Sequence, residues 1–305
     1  NDEDTRKSMR LDRERIYQDM EEYTQHLEAM EDDVDFRDYE ELHMVWISLA
    51  GAFLLQGDGK REQGIVYIRK MMSRAGELDR IDMLLKGYVE LICYGLKEGS
   101  VEWMEKYIEE AKSIEDLEAY ARERGVLLRL EGYCNIQKGE YERAEKLLRS
   151  SIQLFESPKM KRANYFNVAG VYDYLALIYR RRGEYEKAGK IMEKAICLCR
   201  EKRVIKSLDL FYEDYGYILY LQGNYEEAER YFKKSARIYD EFGTYWLRSV
   251  GECCMSIIAL SRHEEDNALE HFRIAEIFSQ KDMTAEELKM LEETRASLRA
   301  AKVLR

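Results

Sequence analysis

Apolar residues do not alternate with polar ones at period two over any long stretch of this chain, which argues against a β-sheet. Residues 6 to 30 follow helical spacing instead and predict an amphipathic helix. Its apolar side carries Leu11, Ile16, Met20, Tyr23 and Leu27. A single proline occurs in 305 residues, so many uninterrupted helices are allowed. The pattern predicts an all-α protein.

Three segments repeat one short pattern: glycine, a polar residue, tyrosine, two charged residues and alanine. They are residues 139–144, 183–188 and 223–228. Weaker copies fall into the same register and place anchor positions at 59, 99, 139, 183, 223 and 263. The anchors are 40, 40, 44, 40 and 40 residues apart, which predicts six repeated units.

The repeat resembles the tetratricopeptide repeat (TPR) family over residues 42 to 280. The resemblance implies a right-handed superhelical solenoid of six helical hairpins, with a turn glycine and small residues where the two helices cross. Small residues stand seven positions before the anchor in five of six units, and five positions after it in five of six. Both exceptions, Ile92 and Met104, fall in the second unit and predict a wider or tilted hairpin there.

The repeats divide the chain into three parts. Residues 1–41 are a predicted N-terminal flanking helix and linker, 42–280 the six TPR-like repeats, and 281–305 a C-terminal capping helix that begins with Thr284 and Glu287 as a capping box. Units of 40 residues exceed the family's usual length of about 34, so both helices are expected to be extended. Elongated units of this kind occur in bacterial regulators with helical-repeat sensor regions.

Charge and cysteine usage narrow the class of protein. Lys and Arg number 49 against 60 Asp and Glu, and a net charge of −11 argues against direct nucleic-acid binding by this region. No apolar run is long enough for a membrane span, and the N-terminus does not read as a secretory signal. Six cysteines without metal-site spacing read as lone core thiols, which suits a cytoplasmic location.

The titratable residues form no recognisable catalytic or metal-binding pattern. The four histidines have no zinc-site or di-iron spacing, and no acid, base and nucleophile pattern is recognisable. We therefore expect a protein that is not an enzyme and has no metal site and no cofactor.

The resemblance implies that partners bind along the concave face, at positions ten and six before each anchor and near the end of the same helix. The predicted groove residues are Arg129, Tyr133, Asp173, Arg180, Glu213, Tyr217 and Tyr220. Aromatic side chains beside mixed charges suit an extended peptide or a partner helix. The Lys and Asn clamp of chaperone-binding members is missing at these positions, which argues against that function. The alternative for any one tyrosine is packing between repeats.

These features favour the sensor or interaction region of a cytosolic bacterial regulator, of transcription in particular, whose output domain lies outside these residues. The expected partner is a protein or peptide; a small effector and a second copy of the chain stay open. The alternatives are an assembly scaffold without switching and a regulator of the peptide-controlled phosphatase type. That last class places a helical bundle before the repeats, for which one N-terminal helix is too little.

Overall fold

The structure, a computed structural model, describes residues 51, 61–157, 164–204, 208–242, 248–279 and 285–304. Across these residues the regular structure consists of twelve α-helices and one 3-10 turn at Leu117–Ala119. The helices are α1 Arg61–Glu77, α2 Ile81–Lys97, α3 Val101–Lys112, α4 Ala121–Gln137, α5 Tyr141–Phe155, α6 Tyr165–Arg181, α7 Tyr185–Glu201, α8 Leu208–Leu221, α9 Tyr225–Phe242, α10 Arg248–Ser261, α11 Glu265–Ser279 and α12 Ala285–Ala300. The all-α prediction is confirmed. The predicted N-terminal helix, the anchor at position 59 and Thr284 lie outside the described residues.

The chain divides into two compact units, residues 1–160 and 161–305. The first contains α1 to α5 and the second α6 to α12. The division falls inside the one interval between anchors that has 44 residues instead of 40. Each unit has its own buried apolar core and is treated separately below.

Glycines at the predicted anchors close the helical hairpins. Gly99, Gly139, Gly183 and Gly223 have φ angles of +66°, +78°, +75° and +78°, in the left-handed region that glycine adopts without a steric penalty. After α4, for example, the amide of Glu140 donates to the carbonyl of Asn135 at 2.9 Å, as in a glycine-terminated helix. The prediction that the repeated glycine marks the turn is confirmed at these four positions.

Small residues let the two helices of a hairpin approach each other closely. A Cβ added at Gly132 would lie 2.8 Å from the Leu148 side chain, and the alanines Ala144, Ala188 and Ala228 are 0% exposed. The helices of the hairpins run from 12 to 18 residues.

The second repeat, whose hairpin consists of α2 and α3, differs from the other hairpins, as its bulky crossing residues predict. Ile92 and Met104 are both buried where α2 crosses α3, and these two helices pack less closely than those of the other hairpins. The shorter α3, with 12 residues, contributes to the same difference. The looser packing of this hairpin therefore accompanies both bulky side chains at the crossing and a short second helix.

Helix α12 packs at the end of the second unit, against α10 and α11. Its Leu291 and Leu298 are buried with Phe272 of α11 and Cys253 of α10 in one apolar cluster. The helix thus covers apolar surface that the last hairpin would otherwise expose, which is what a capping helix does in a repeat stack.

Candidate functional site

The predicted groove residues lie on the first helices of three consecutive hairpins. Arg129 and Tyr133 are on α4 in the first unit, whereas the other five are on α6 and α8 in the second unit. The structure brings Arg180 and Tyr217 into direct contact, and Tyr220 continues the contact along α8. This part of the second unit is the candidate site.

Arg180 is the centre of the site. Its side chain is 9% exposed, and its guanidinium forms a two-pronged salt bridge with the carboxylate of Glu286 in the first turn of α12. The second hydrogen bond, from Nη2 to Oε2, measures 3.3 Å. Burial alone lowers the pKa of Arg180, but Glu286 and then Asp214 more than offset it, so the pKa is raised. A planar guanidinium in this arrangement recognises a carboxylate by shape as well as by charge.

A pair of stacked tyrosines adjoins Arg180 through Tyr217. The guanidinium carbon of Arg180 lies 4.8 Å from the centre of the Tyr217 ring, in a cation–π contact, and Tyr217 stacks on Tyr220 at 6.4 Å. Burial, with a smaller contribution from Glu286, raises the pKa of Tyr217 to about 12, and burial also raises the pKa of Tyr220. Both phenols therefore keep their protons at neutral pH and remain hydrogen-bond donors.

A carboxyl on α8, Asp214, interacts electrostatically with Arg180. Asp173 of α6 also interacts with Asp214 and lowers its pKa. Burial raises the pKa of Asp214 to about 6, and the positive charge of Arg180 only partly offsets that effect. The sequence singled out Asp173 but not Asp214, because Asp214 stands outside the ten-and-six register.

Glu213 lies apart from these residues, although it occupies a predicted groove position. Its side chain is 4% exposed, and an added Cβ at Gly251 of α10 would come within 2.0 Å of its Oε1. Burial raises the pKa of Glu213 well above its usual range, and hydrogen bonds from Ser235 and the Gly251 amide only partly oppose this. Glu213 is thus a packing residue between α8, α9 and α10 and is not accessible to a partner.

Helix α12 contributes residues to the candidate site, although the sequence predicted only that this helix caps the repeats. Glu286 pairs with Arg180, and Met290 packs against the apolar core of the second unit. On another side of the helix, Ser249 donates to Glu287 at 3.2 Å, and Leu291 and Leu298 pack in one apolar cluster with Cys253 of α10. Cys253 lies ten residues before the anchor at position 263, which is a predicted groove position. Helix α12 therefore lies on groove positions of α6, α8 and α10. A spacing of four and three between Glu286, Met290 and Glu293 is the one sequence signal that indicates this face.

In the first unit, Tyr133 is half-buried against the apolar core and Arg129 is partly exposed. Beside α4, a cavity of about 410 Å³ is lined mainly by charged residues of α3, α4 and α5. Its Glu131 pairs with Lys112 at 3.3 Å and with Arg143 at 3.5 Å. These ion pairs are internal to the unit and point to no particular ligand.

Within the described ranges, no group of three or more His, Cys, Asp or Glu side chains is arranged to hold a metal ion. No helix in the described part of the chain is long and apolar enough to cross a membrane. All six cysteines are free thiols, and four are buried as predicted. Cys197 corrects that prediction, because it lies on the exposed side of α7 with its Sγ 3.4 Å from a Glu201 carboxylate oxygen.

Comparison with known proteins agrees with this architecture. Residues 167–241, which cover α6 to α9, match the model of the tetratricopeptide repeat family. The predicted resemblance is confirmed there. No curated protein sequence matches the chain.

Solved structures of TPR proteins share the fold at low identity. Aspartyl phosphate phosphatase F from Bacillus subtilis matches 90% of this chain and 73% of its own, with 18% identity and a TM-score of 0.57. The apo form of RapI matches 84% of this chain and 99% of its own, with 16% identity and a TM-score of 0.54. A signal-transduction ATPase with a TPR sensor from Pyrococcus horikoshii matches 86% of this chain, with 14% identity and a TM-score of 0.58. The match spans 41% of that ATPase.

Proposed function

We propose that this chain, which carries tetratricopeptide repeats, binds a protein or peptide in the groove of its second unit. One observation carries the proposal: a buried arginine on α6, in contact with stacked tyrosines on α8, already binds the carboxylate of another helix. A surface with a charged centre and aromatic neighbours has the chemistry of a binding hot spot. Binding, rather than catalysis, is the activity that these groups serve.

The finer role that we propose is the sensor or interaction region of a cytoplasmic bacterial regulator, including a regulator of transcription. Proteins of similar fold include a signal-transduction ATPase with a TPR sensor and an aspartyl phosphate phosphatase. Identities of 14% and 18% carry the fold alone, so the regulatory role is tested by experiment. As a further proposal, Arg129 and Tyr133 on α4 form a separate binding surface of the first unit.

The test is affinity capture from extract of the cells that make the protein, followed by mass spectrometry. The full chain is compared with a double variant, Arg180→Gln with Tyr217→Ala, and with Lys190→Gln, which removes a positive charge from the exposed outer side of α7. A protein or peptide that the wild type and Lys190→Gln retain, and the double variant loses, supports the groove. Equal capture by all three contradicts it, provided that circular dichroism shows the double variant to be folded.

Regulator and scaffold are then separated with the captured partner. Hydrogen exchange of the free and bound chain is measured at every helix of the second unit. A sensor changes its exchange at helices that do not touch the partner, because binding shifts the packing between hairpins. A scaffold without switching is protected at the contact surface alone.

A further inference from the structure

The salt bridge between α6 and α12 has one fixed member and one exchangeable member. Arg180 is 9% exposed and is held by the Tyr217 ring and by nearby Asp214. The side chain of Glu286 is 41% exposed, although both of its oxygens bind the guanidinium. The cation is therefore built into the fold, while the carboxylate that it binds remains open to solvent and to competition.

Helix α12 has two different faces. One face carries Glu287, Leu291, Thr294 and Leu298, each of them buried against the last hairpin. The other face carries Glu286, Met290 and Glu293, at spacings of four and three residues. This second face meets Arg180 through Glu286 and the apolar core of the second unit through Met290, in that order along the helix.

We infer that α12 is a built-in occupant of the groove, and that the partner recognised there is an acidic amphipathic helix that presents the same face. A Glu or Asp of the partner replaces Glu286 on Arg180, and an apolar residue four positions later replaces Met290. The inference rests on the proposed function of the groove, and it specifies the partner and how its access is regulated.

The physical reason is the cost of leaving Arg180 unpaired. A buried guanidinium that loses its carboxylate has lost its main compensation for desolvation. The first turn of α12 therefore leaves readily only when another carboxylate arrives, and a neutral helix of the same shape is rejected. Because α12 belongs to the same chain, it competes at an effective concentration on the millimolar scale. The site is consequently closed to weak ligands and open to those that supply the acidic face.

The test uses the full chain and a synthetic, isotope-labelled peptide of residues 285–300, with blocked ends, as the competing helix. Hydrogen exchange is followed in the first two turns of the chain's own α12, and peptide binding by fluorescence anisotropy. The chain variant Glu286→Gln weakens the internal occupant, and Glu292→Gln removes the same charge from an exposed position of the same helix. A second peptide carries the Glu286→Gln change.

We expect faster exchange in the first turns of α12 in Glu286→Gln, and about ten- to a hundredfold tighter peptide binding to that chain than to the wild type. The Glu292→Gln chain behaves like the wild type, and the peptide with Gln binds the Glu286→Gln chain about tenfold less tightly than the peptide with Glu. Adding Arg180→Gln to Glu286→Gln abolishes the difference between the peptides.

Equal binding of the two peptides, or no peptide binding to Glu286→Gln, overturns the inference. So does identical α12 exchange in the wild type and Glu286→Gln. If the extract experiment still loses a partner on the Arg180 and Tyr217 double variant, the groove stands and only the role of α12 fails. If the peptide experiment succeeds and the extract experiment shows no difference, the occupancy by α12 stands and the proposed cellular partner site fails.

Discussion

The ring of Phe232 in α9 packs over the backbone of Gly216 in α8, where an added Cβ would lie 2.7 Å from the ring. Gly216 occupies the small-residue position seven before its anchor, and the close approach of α8 and α9 depends on it. The same relationship recurs two repeats earlier, where an added Cβ at Gly132 would lie 2.8 Å from the Leu148 side chain. Glycine at these crossings is therefore set by packing between helices rather than by backbone conformation.

Gly216→Ala should destabilise the protein by about 1 to 3 kcal/mol, because the ring of Phe232 must shift within a packed core. Gly189→Ala in α7 is the matched control, since its added Cβ would meet its nearest neighbour at 3.4 Å. The control should be neutral or gain up to about 1 kcal/mol of helix propensity. Urea denaturation of the three proteins measures both effects, and equal midpoints for the two variants would contradict the packing argument.

His263 occupies the turn position that glycine holds in the four preceding hairpins, with a φ of +61°. His263→Gly should stabilise the protein by roughly 0.5 to 1 kcal/mol, because glycine adopts this conformation without the Cβ penalty. His263→Ala keeps the Cβ and should bring no such gain. Thermal unfolding of both variants decides the matter, and a gain in the alanine variant alone would mean that the side chain, not the backbone, is strained.

Asp214 should make the stability of the folded protein fall as pH rises. Its pKa is raised from the ordinary 3.8 to about 6, so between these values the folded state binds more protons than the unfolded state. The stability contributed by the protonated carboxyl is complete below pH 4 and is lost as pH rises through about 6. Asp214→Asn removes this term, which amounts to about 2 to 3 kcal/mol for such a shift.

Denaturation midpoints of wild type and Asp214→Asn between pH 4 and pH 7 test this directly. The variant should gain on the wild type as pH rises, and the gain should level off above the folded pKa. Asp266→Asn, an exposed site on α11, is the control and should follow the wild-type curve. A constant difference between Asp214→Asn and wild type at every pH would show that the carboxyl does not titrate in this range.

Cys197 should be the fastest-reacting thiol of the native chain. It is exposed, whereas Cys134, Cys199, Cys253 and Cys254 are buried, and burial raises the pKa of Cys134 and Cys199 to about 11. An aromatic disulfide reagent at pH 8 should modify about one thiol per chain quickly, because Cys197 is accessible to the reagent, even though its hydrogen bond with Glu201 raises the pKa of this thiol. Cys197→Ser should remove that phase. Several thiols reacting at one common rate would indicate that the buried cysteines open together.

The hairpins were predictable because their signals are local and repeated. Gly139, Gly183 and Gly223 recur with a tyrosine two residues later, and each is a left-handed turn in the structure. The crossing residues follow at fixed offsets, so even the less closely packed hairpin of Ile92 and Met104 could be expected. Such features need only the few residues around one turn to be recognised.

The site was predictable only in part, because it joins elements that are distant along the chain. Register placed Arg180 and Tyr217 in the groove, but no local pattern indicates that Glu286 reaches Arg180. The repeat register also placed Glu213 in the groove, because the register depends on backbone position and not on how deeply a side chain is buried. Asp214, one residue later, is the neighbouring carboxyl whose pKa the charge of Arg180 lowers.

The pairing of Arg180 with Glu286 spans 106 residues of sequence. In a linear array each hairpin touches only its neighbours, so the ends fray first and melting spreads inward step by step. The salt bridge links the first hairpin of the second unit to α12, the helix that follows the last hairpin. The contacts in this part of the array therefore form a closed loop. Fraying at the C-terminal end then costs the first hairpin its buried ion pair, and the three hairpins are expected to melt as one cooperative block.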